Sequence, residues 1–411
     1  MRISTHTIFD IGASQLGTLQ SQMAKTQMQL STNRRMLTPA DDPIASARAL
    51  EVTQSQSINT QFSTNRQNAR NSLSQVELAL QSTTSLIQDV QTLTVNAGNG
   101  TLAPADRASL ATELEGRLTD LLGIANTADG AGGFLFSGNK TTTQPFIQTA
   151  SGAQYQGDQG QRQLQVGSTR QMAISDSGSA AFENNVTGNG SFQTQAGAAN
   201  TGSGIVSSGS VTDTTQATGH DYSVVFAVSG TPAVTTYTVT DNTTGQPVPP
   251  PPAVATPQPY QDGQQIAFDG VAFDIKGAPA DGDTFTVQPS QKESLFTTMT
   301  NLITALRAPA TDAAGQAQLT NALNTAHDNL GSSLDNVLSV RASVGSRLKE
   351  LDNLDSAGDD LNLQYASTLS TLQDLDQVSA ISLFTQQQFT LQAAQKSFQV
   401  LSGLSLFNYL P

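Results

Sequence analysis

Apolar residues recur at seven-residue spacing toward both ends of this 411-residue chain, and the pattern is absent from the stretch between. In the last stretch Phe384, Leu391 and Phe398 are a heptad apart, and Ala380, Gln387, Ala394 and Leu401 form the companion line. Two such lines make the a/d seam of a helix that packs along another helix. Past Asp376 the only charge is Lys396, and most other positions are Gln, Ser or Thr. A helix facing water normally carries charged pairs on its outer face. A seam with neutral flanks suits a helix enclosed by other helices. Docking on the chain's own domain satisfies the same pattern, so the pattern alone leaves both outcomes open.

The other end looks like its partner. Leu16, Met23, Leu30 and Leu37 lie seven apart, with Leu19, Thr26 and Asn33 beside them, giving a heptad over residues 8–37. Thr26 and Asn33 place polar groups in this seam, as Gln387 does in the other. Isolated helices of this kind are marginal in water. Residues 1–40 and 375–411 are therefore predicted to be disordered in the monomer and to fold on assembly.

Between the ends, Thr38-Pro39-Ala40-Asp41-Asp42-Pro43 breaks the first helix. Asp42 can cap the next, with Pro43 at its first position. That helix is predicted from Pro43 to Ala97, with Leu73, Leu80 and Ile87 beside Val76, Thr83 and Val90 as its later seam. A third starts near Pro104, with Asp106 in its first turn. Helices return at Gln291: one carries Leu295, Met299, Leu302 and Leu306 and stops at Pro309. The next places Leu323, Leu330, Val337, Val344 and Leu351 seven apart and continues through Leu361, Tyr365, Leu369 and Leu372. The seams Leu73, Leu80, Ile87 and Leu330, Val337, Val344 are expected to face each other.

From Phe134 the helical period gives way to short alternating runs, Arg162–Val166, Tyr222–Val228 and Thr235–Thr240, separated by Gly-, Ser- and Thr-rich turns. Gln265 to Ile275 reads as a hairpin with Asp269-Gly270 as a type I′ turn. The proline run 247–252 reads as an exposed polyproline loop. The expected fold class is mainly α with an inserted β domain (α+β): an antiparallel long-helix rod built from both termini, with a β-rich outer domain in the middle. Its parts are a terminal helical pair (1–42 with 375–411), a helical rod domain (43–145 with 290–374) and the β insertion (146–289).

Composition narrows the function. A chain without cysteine has no disulfide framework, thiol nucleophile or thiolate metal site. A net charge of -14 argues against nonspecific nucleic-acid binding. No apolar run reaches membrane-spanning length, and the first residues have no apolar signal core. The expectation is a cytosolic chain or one exported without a cleaved signal peptide. His6, His220 and His327 fall in no metal-ligand spacing, and neither a nucleophile elbow nor a phosphate loop is present. No cofactor and no catalytic or metal site is expected. Asp374 and Asp376 read as capping groups; Asp281 and Asp283 admit a calcium site or, more simply, a turn.

Several motifs resemble a known family. Met1-Arg2-Ile3-Ser4-Thr5, Gln29 to Arg35 and Pro39-Ala40-Asp41-Asp42-Pro43-Ile44-Ala45 are similar to the N-terminal region of the flagellin superfamily. Arg341-Ala342-Ser343-Val344-Gly345 and Arg347-Leu348 resemble the C-terminal helix that flagellins share. Gly133 to Gly138, Pro145-Phe146, Tyr155-Gln156-Gly157-Asp158 and Gly282 to Val287 resemble the hook-associated proteins of the hook–filament junction. Asp41, Asp42, Pro43, Arg341 and Gly345 carry the signature. The segment 183–262 matches no quoted motif. The resemblance implies a non-enzymatic, extracellular flagellar adaptor, exported unfolded through the type III apparatus. Its implied partners are copies of itself in a ring, a hook-side junction protein, flagellin and a cytoplasmic export chaperone. Flagellin itself, and a secreted adhesin with a helical stalk, are the alternatives.

Overall fold

The computed structural model describes residues 5–248 and 257–403. Among these residues six α-helices run in chain order: α1 Thr5–Thr32, α2 Pro43–Ala97, α3 Pro104–Ala125, α4 Leu295–Arg307, α5 Ala313–Gln373 and α6 Gln377–Gly403. Strands and one short π-helical turn, Ser179–Glu183, fill the segment between α3 and α4. The protein is thus mainly α with a β insertion. It divides into two compact units, residues 1–64 with 353–411 and residues 65–352. Residues 249–252 of the proline run lie outside the described residues.

In the larger unit α2 and α5 lie antiparallel. Arg70 meets Asp352 at 2.7 Å, and Arg341 reaches Glu77 at 2.7 Å and Thr84 at 3.4 Å. Leu73, Leu80 and Ile87 are fully buried, as are Leu330, Val337 and Val344. Arg341 therefore ties the two helices together, whereas Gly345 is exposed and has open space around its Cα. The helices α3 and α4 pack on one another. Asp106 accepts from the Ala103 amide at the start of α3, and Ser294 caps α4 by accepting from Phe296.

The ends of α3 and α4 meet the β segment at an aromatic cluster. The Phe146 ring lies 4.9 Å from Phe296, 5.6 Å from Phe182 and 5.1 Å from Tyr155, and Phe136 lies 5.2 Å from Phe182. The Tyr155 hydroxyl is shared between the carbonyls of Phe136 (2.9 Å) and Asp158 (2.7 Å). The Asp158 carboxylate accepts from the amides of Asn139 and Gly160, both at 2.8 Å. A Cβ on Gly157 would come 2.4 Å from the Tyr155 hydroxyl, so the Tyr-Gln-Gly-Asp run is one tight, mutually dependent loop.

Beyond this cluster a six-stranded sheet and a four-stranded sheet share a core of Phe192, Tyr222, Phe226, Phe273, Ile275 and Phe285 with their neighbours. Within the larger sheet Tyr222–Ser229 pairs antiparallel with both Val234–Asp241 and Thr284–Pro289. The hairpin at Asp269-Gly270 forms with Phe268 opposite Val271, and φ of 41° and 74° at the turn residues match type I′.

One boundary differs from the heptad reading. The first helix stops at Thr32, so Leu37 and Asn33 are not seam residues. Asn33 adopts φ 54°, the left-handed region that asparagine tolerates, and turns the chain out of the helix.

Candidate assembly interface

The smaller unit holds α1 and α6 side by side. At one end Leu375 donates its amide to the Asn33 carbonyl (3.3 Å) and Gln377 donates to the Asn33 side chain (3.0 Å). At the other end the rings of Phe9 and Phe398 are 4.9 Å apart. The two helices are therefore antiparallel. A Cβ on Gly12 would lie 2.8 Å from the Phe398 ring, so glycine is what lets the ring close over α1.

The seam itself is thin. On α6 Ala380 and Leu391 are buried, and Phe384, Gln387, Ala394 and Phe398 are half-buried. On α1 Leu16, Leu19, Met23 and Leu30 are half-buried, and among the described side chains only Thr26 is buried, its hydroxyl turned back to the Gln22 carbonyl at 3.1 Å. The buried Gln387 Oε1 finds no hydrogen-bond partner among the described residues. Such an acceptor costs free energy that apolar contact must offset. The side chain of Leu401 lies outside the described residues.

Opposite the seam runs a second apolar row that heptad reasoning missed. Val378, Phe389 and Val400 are 81%, 74% and 60% exposed. They are spaced eleven residues apart, close to three whole turns, so they stack on one line of the helix. The search for sevens passes over this row; a search for elevens would have found it.

The turn between α1 and α2 is a built elbow. The Asp41 carboxylate accepts from Lys25 Nζ at 2.6 Å and from the amides of Leu37 and Thr38, both at 2.9 Å. The Lys25 hydrogen bond, followed by the two amides, holds Asp41 well below the usual carboxylate range. Asp42 accepts from the Ala45 amide at 3.0 Å and caps α2, with Pro43 at its first position. Arg35 joins the elbow to the end of α5, its amide on the Gln373 carbonyl (2.8 Å) and its guanidinium on that of Leu372 (2.9 Å). Asp376 caps α6 through the amides of Val378 and Ser379. Farther along, Asn59 donates to Gly358 O (2.7 Å) and Asn362 Oδ1 (2.9 Å), stitching α2 to α5.

The expected site residues therefore fall into different places. Leu16, Met23, Leu30, Phe384, Leu391 and Phe398 belong to the terminal pair, and Asp41, Asp42 and Pro43 to the elbow. Leu73, Leu80, Ile87, Leu330, Val337, Val344, Arg341 and Gly345 belong to the other unit. His220, Asp281 and Asp283 have structural partners. His220 pairs with Asp241 at 2.7 Å, and Asp241, despite burial that pushes it up, is held down at about 2 by His220 and the Thr243–Thr244 amides. Asp283 accepts from the amides of Thr201, Gly202 and Ala280, and Asp281 from that of Val228, so both carboxylates fasten loops. Among the described residues no group of acidic or histidine side chains forms a metal site, and no helix is long and apolar enough to cross a membrane.

Residues 3–141 match the bacterial flagellin N-terminal helical region, and residues 195–289 match the D2-like domain of flagellar hook-associated protein 1. Over 408 residues, 99% of each chain, the sequence is 30% identical to flagellar hook-associated protein 3 of Salmonella typhimurium. The fold is similar to the flagellar junction protein FlgL of Legionella pneumophila, with 32% identity and a TM-score of 0.72 over 80% of this chain and 100% of that one. It is also similar to FlgL of Xanthomonas campestris, with 30% identity and a TM-score of 0.70 over 78% and 99% of the two chains.

Proposed function

The chain belongs to the flagellar hook-associated protein 3 family, and we propose that it is a structural adaptor of the bacterial flagellum, joining the hook-side junction to the flagellin filament. The observation that carries this reading is a 30% identity sustained over 99% of both chains with a relative of that name. The match of residues 3–141 to flagellin covers helices that the superfamily has in common, and it leaves flagellin itself as the second reading.

The terminal pair supplies a physical basis for the adaptor. Each copy spends one face of α6 on α1 and keeps Val378, Phe389 and Val400 for a neighbour. Copies assembled through such non-identical faces close into a ring or continue as a helix. The ring contacts a hook-side junction protein on one side and flagellin on the other. It works by binding alone, with no catalytic step, nucleic acid or membrane insertion.

Before assembly the chain is exported unfolded through the flagellar type III apparatus to an extracellular position, without loss of a signal peptide. A chain without cysteine carries no disulfide that export would have to break. In the cytoplasm a small helical chaperone covers α6, reading Phe384, Leu391 and Phe398 as anchors one heptad apart, with Leu401 three residues on. In the folded chain α1 occupies that seam, so chaperone and α1 compete for one face and release precedes assembly.

The double variant Leu391→Ser, Phe398→Ser tests the reading. It should lose capture of the chaperone from cytoplasmic extract and leave a deletion strain shedding unpolymerised flagellin. Melting of the larger unit should stay nearly unchanged, because Leu391 and Phe398 lie outside it. Normal capture and normal swimming would make the seam an ordinary core.

A further inference from the structure

The elbow does more than turn the chain: it forms an open groove of about 600 Å³. Met36, Leu37, Pro39, Pro43 and Leu50 line it, together with Arg34 and Gln373. Leu50 is 70% exposed and the adjacent Ile44 is 84% exposed, so apolar surface continues out of the groove. Among the described residues no segment of the smaller unit fills it.

The residues that follow α6 have the matching chemistry. Leu404-Ser405-Leu406-Phe407-Asn408-Tyr409-Leu410 carries no charge and five large apolar or aromatic side chains. Reach decides which copy they can serve. The groove includes Gln373, beside the start of α6, whereas Leu404 follows its far end at Gly403. A helix of 27 residues is roughly 40 Å long at 1.5 Å per residue. Seven residues, fully extended, span at most about 25 Å. The segment cannot reach the groove of its own copy.

We infer that residues 404–410 of one copy seat in the elbow groove of the next copy, a head-to-tail contact that links neighbours in the assembly. The inference rests on the ring reading above. The contact is heterologous, with an apolar segment on one face and its pocket on the other, which is the kind of contact that propagates around a ring. Arg34 and Gln373 in the lining supply donors for the carbonyls of an extended segment.

The absence of cysteine makes the test clean. Two variants, Leu50→Cys and Leu406→Cys, are co-expressed as separate full-length chains in a motile strain lacking its own hook-associated protein 3. Flagella are isolated and oxidised. A disulfide-linked dimer should appear in the mixed sample and in neither single-variant sample. A mixed sample without that dimer, while an amine-reactive cross-linker still joins copies, overturns the inference and leaves the ring standing. Failure of both cross-links removes the ring reading together with it. If Phe389→Cys replaces Leu406→Cys and it alone links to Leu50→Cys, the groove belongs to the outer row of α6 and the inference is wrong.

Discussion

Asp41 makes the elbow depend on charge. Its carboxylate is ionised and triply hydrogen-bonded in the fold, held down first by Lys25 and then by the Thr38 and Leu37 amides. A depressed folded value gives stability that is present above the unfolded value, near 3.9, and lost as pH falls through the folded one. In the assembled protein, amide protection at Leu37 and Thr38, corrected for intrinsic rate, should hold from pH 7 to about 5 and decline from near pH 4 downward. Asp41→Asn should lower that protection already at pH 7. A second residue argues the other way: Gln387 buries an acceptor without a partner. Gln387→Leu should stabilise the terminal pair by about 1 kcal/mol, read as increased helix content by circular dichroism. If the pair must stay weak to be exported, this variant should also be exported more slowly.

At the scale of elements, the parts of α2 and α5 within the larger unit are where the sequence reading carried furthest. Leu80 and Val337 lie at heptad positions and both are fully buried. Leu80→Ala and Val337→Ala should each cost on the order of 2–4 kcal/mol in urea unfolding. If the seams touch, the double variant should depart from additivity by more than about 0.5 kcal/mol. Strict additivity would give each seam a different partner. Heptads such as Leu73-Leu80-Ile87 were legible because burial along a long helix repeats one local environment. The Asp-Gly hairpin was legible because its turn needs positive φ at both residues. Other features were not. Asn33 looked like a polar seam residue, since a left-handed backbone leaves no periodic trace. The elbow was visible as a helix break capped by Asp42, but its Lys25–Asp41 bond was not, because the two meet through folding and not through sequence spacing. The Tyr155 loop read as a motif without a mechanism until its hydroxyl was seen bridging two carbonyls.

At the scale of the molecule, the larger unit is built on fully buried seams and the terminal pair on half-buried ones. Hydrogen exchange on the free chain should therefore show α1 and α6 unprotected beside a well-protected larger unit, with protection appearing on assembly. Slow exchange in α1 and α6 of the free chain would mean the pair folds before it assembles. The two rows on α6 carry a further consequence. Residues that repeat every seven follow a left-handed supercoil, whereas residues that repeat every eleven follow a right-handed one. One helix cannot wind both ways, so α6 does best straight, and a partner that winds it around one row drags the other out of line. Torsion applied by a partner on the outer row would thereby be felt at the inner one, making α6 a torsion bar between that partner and α1.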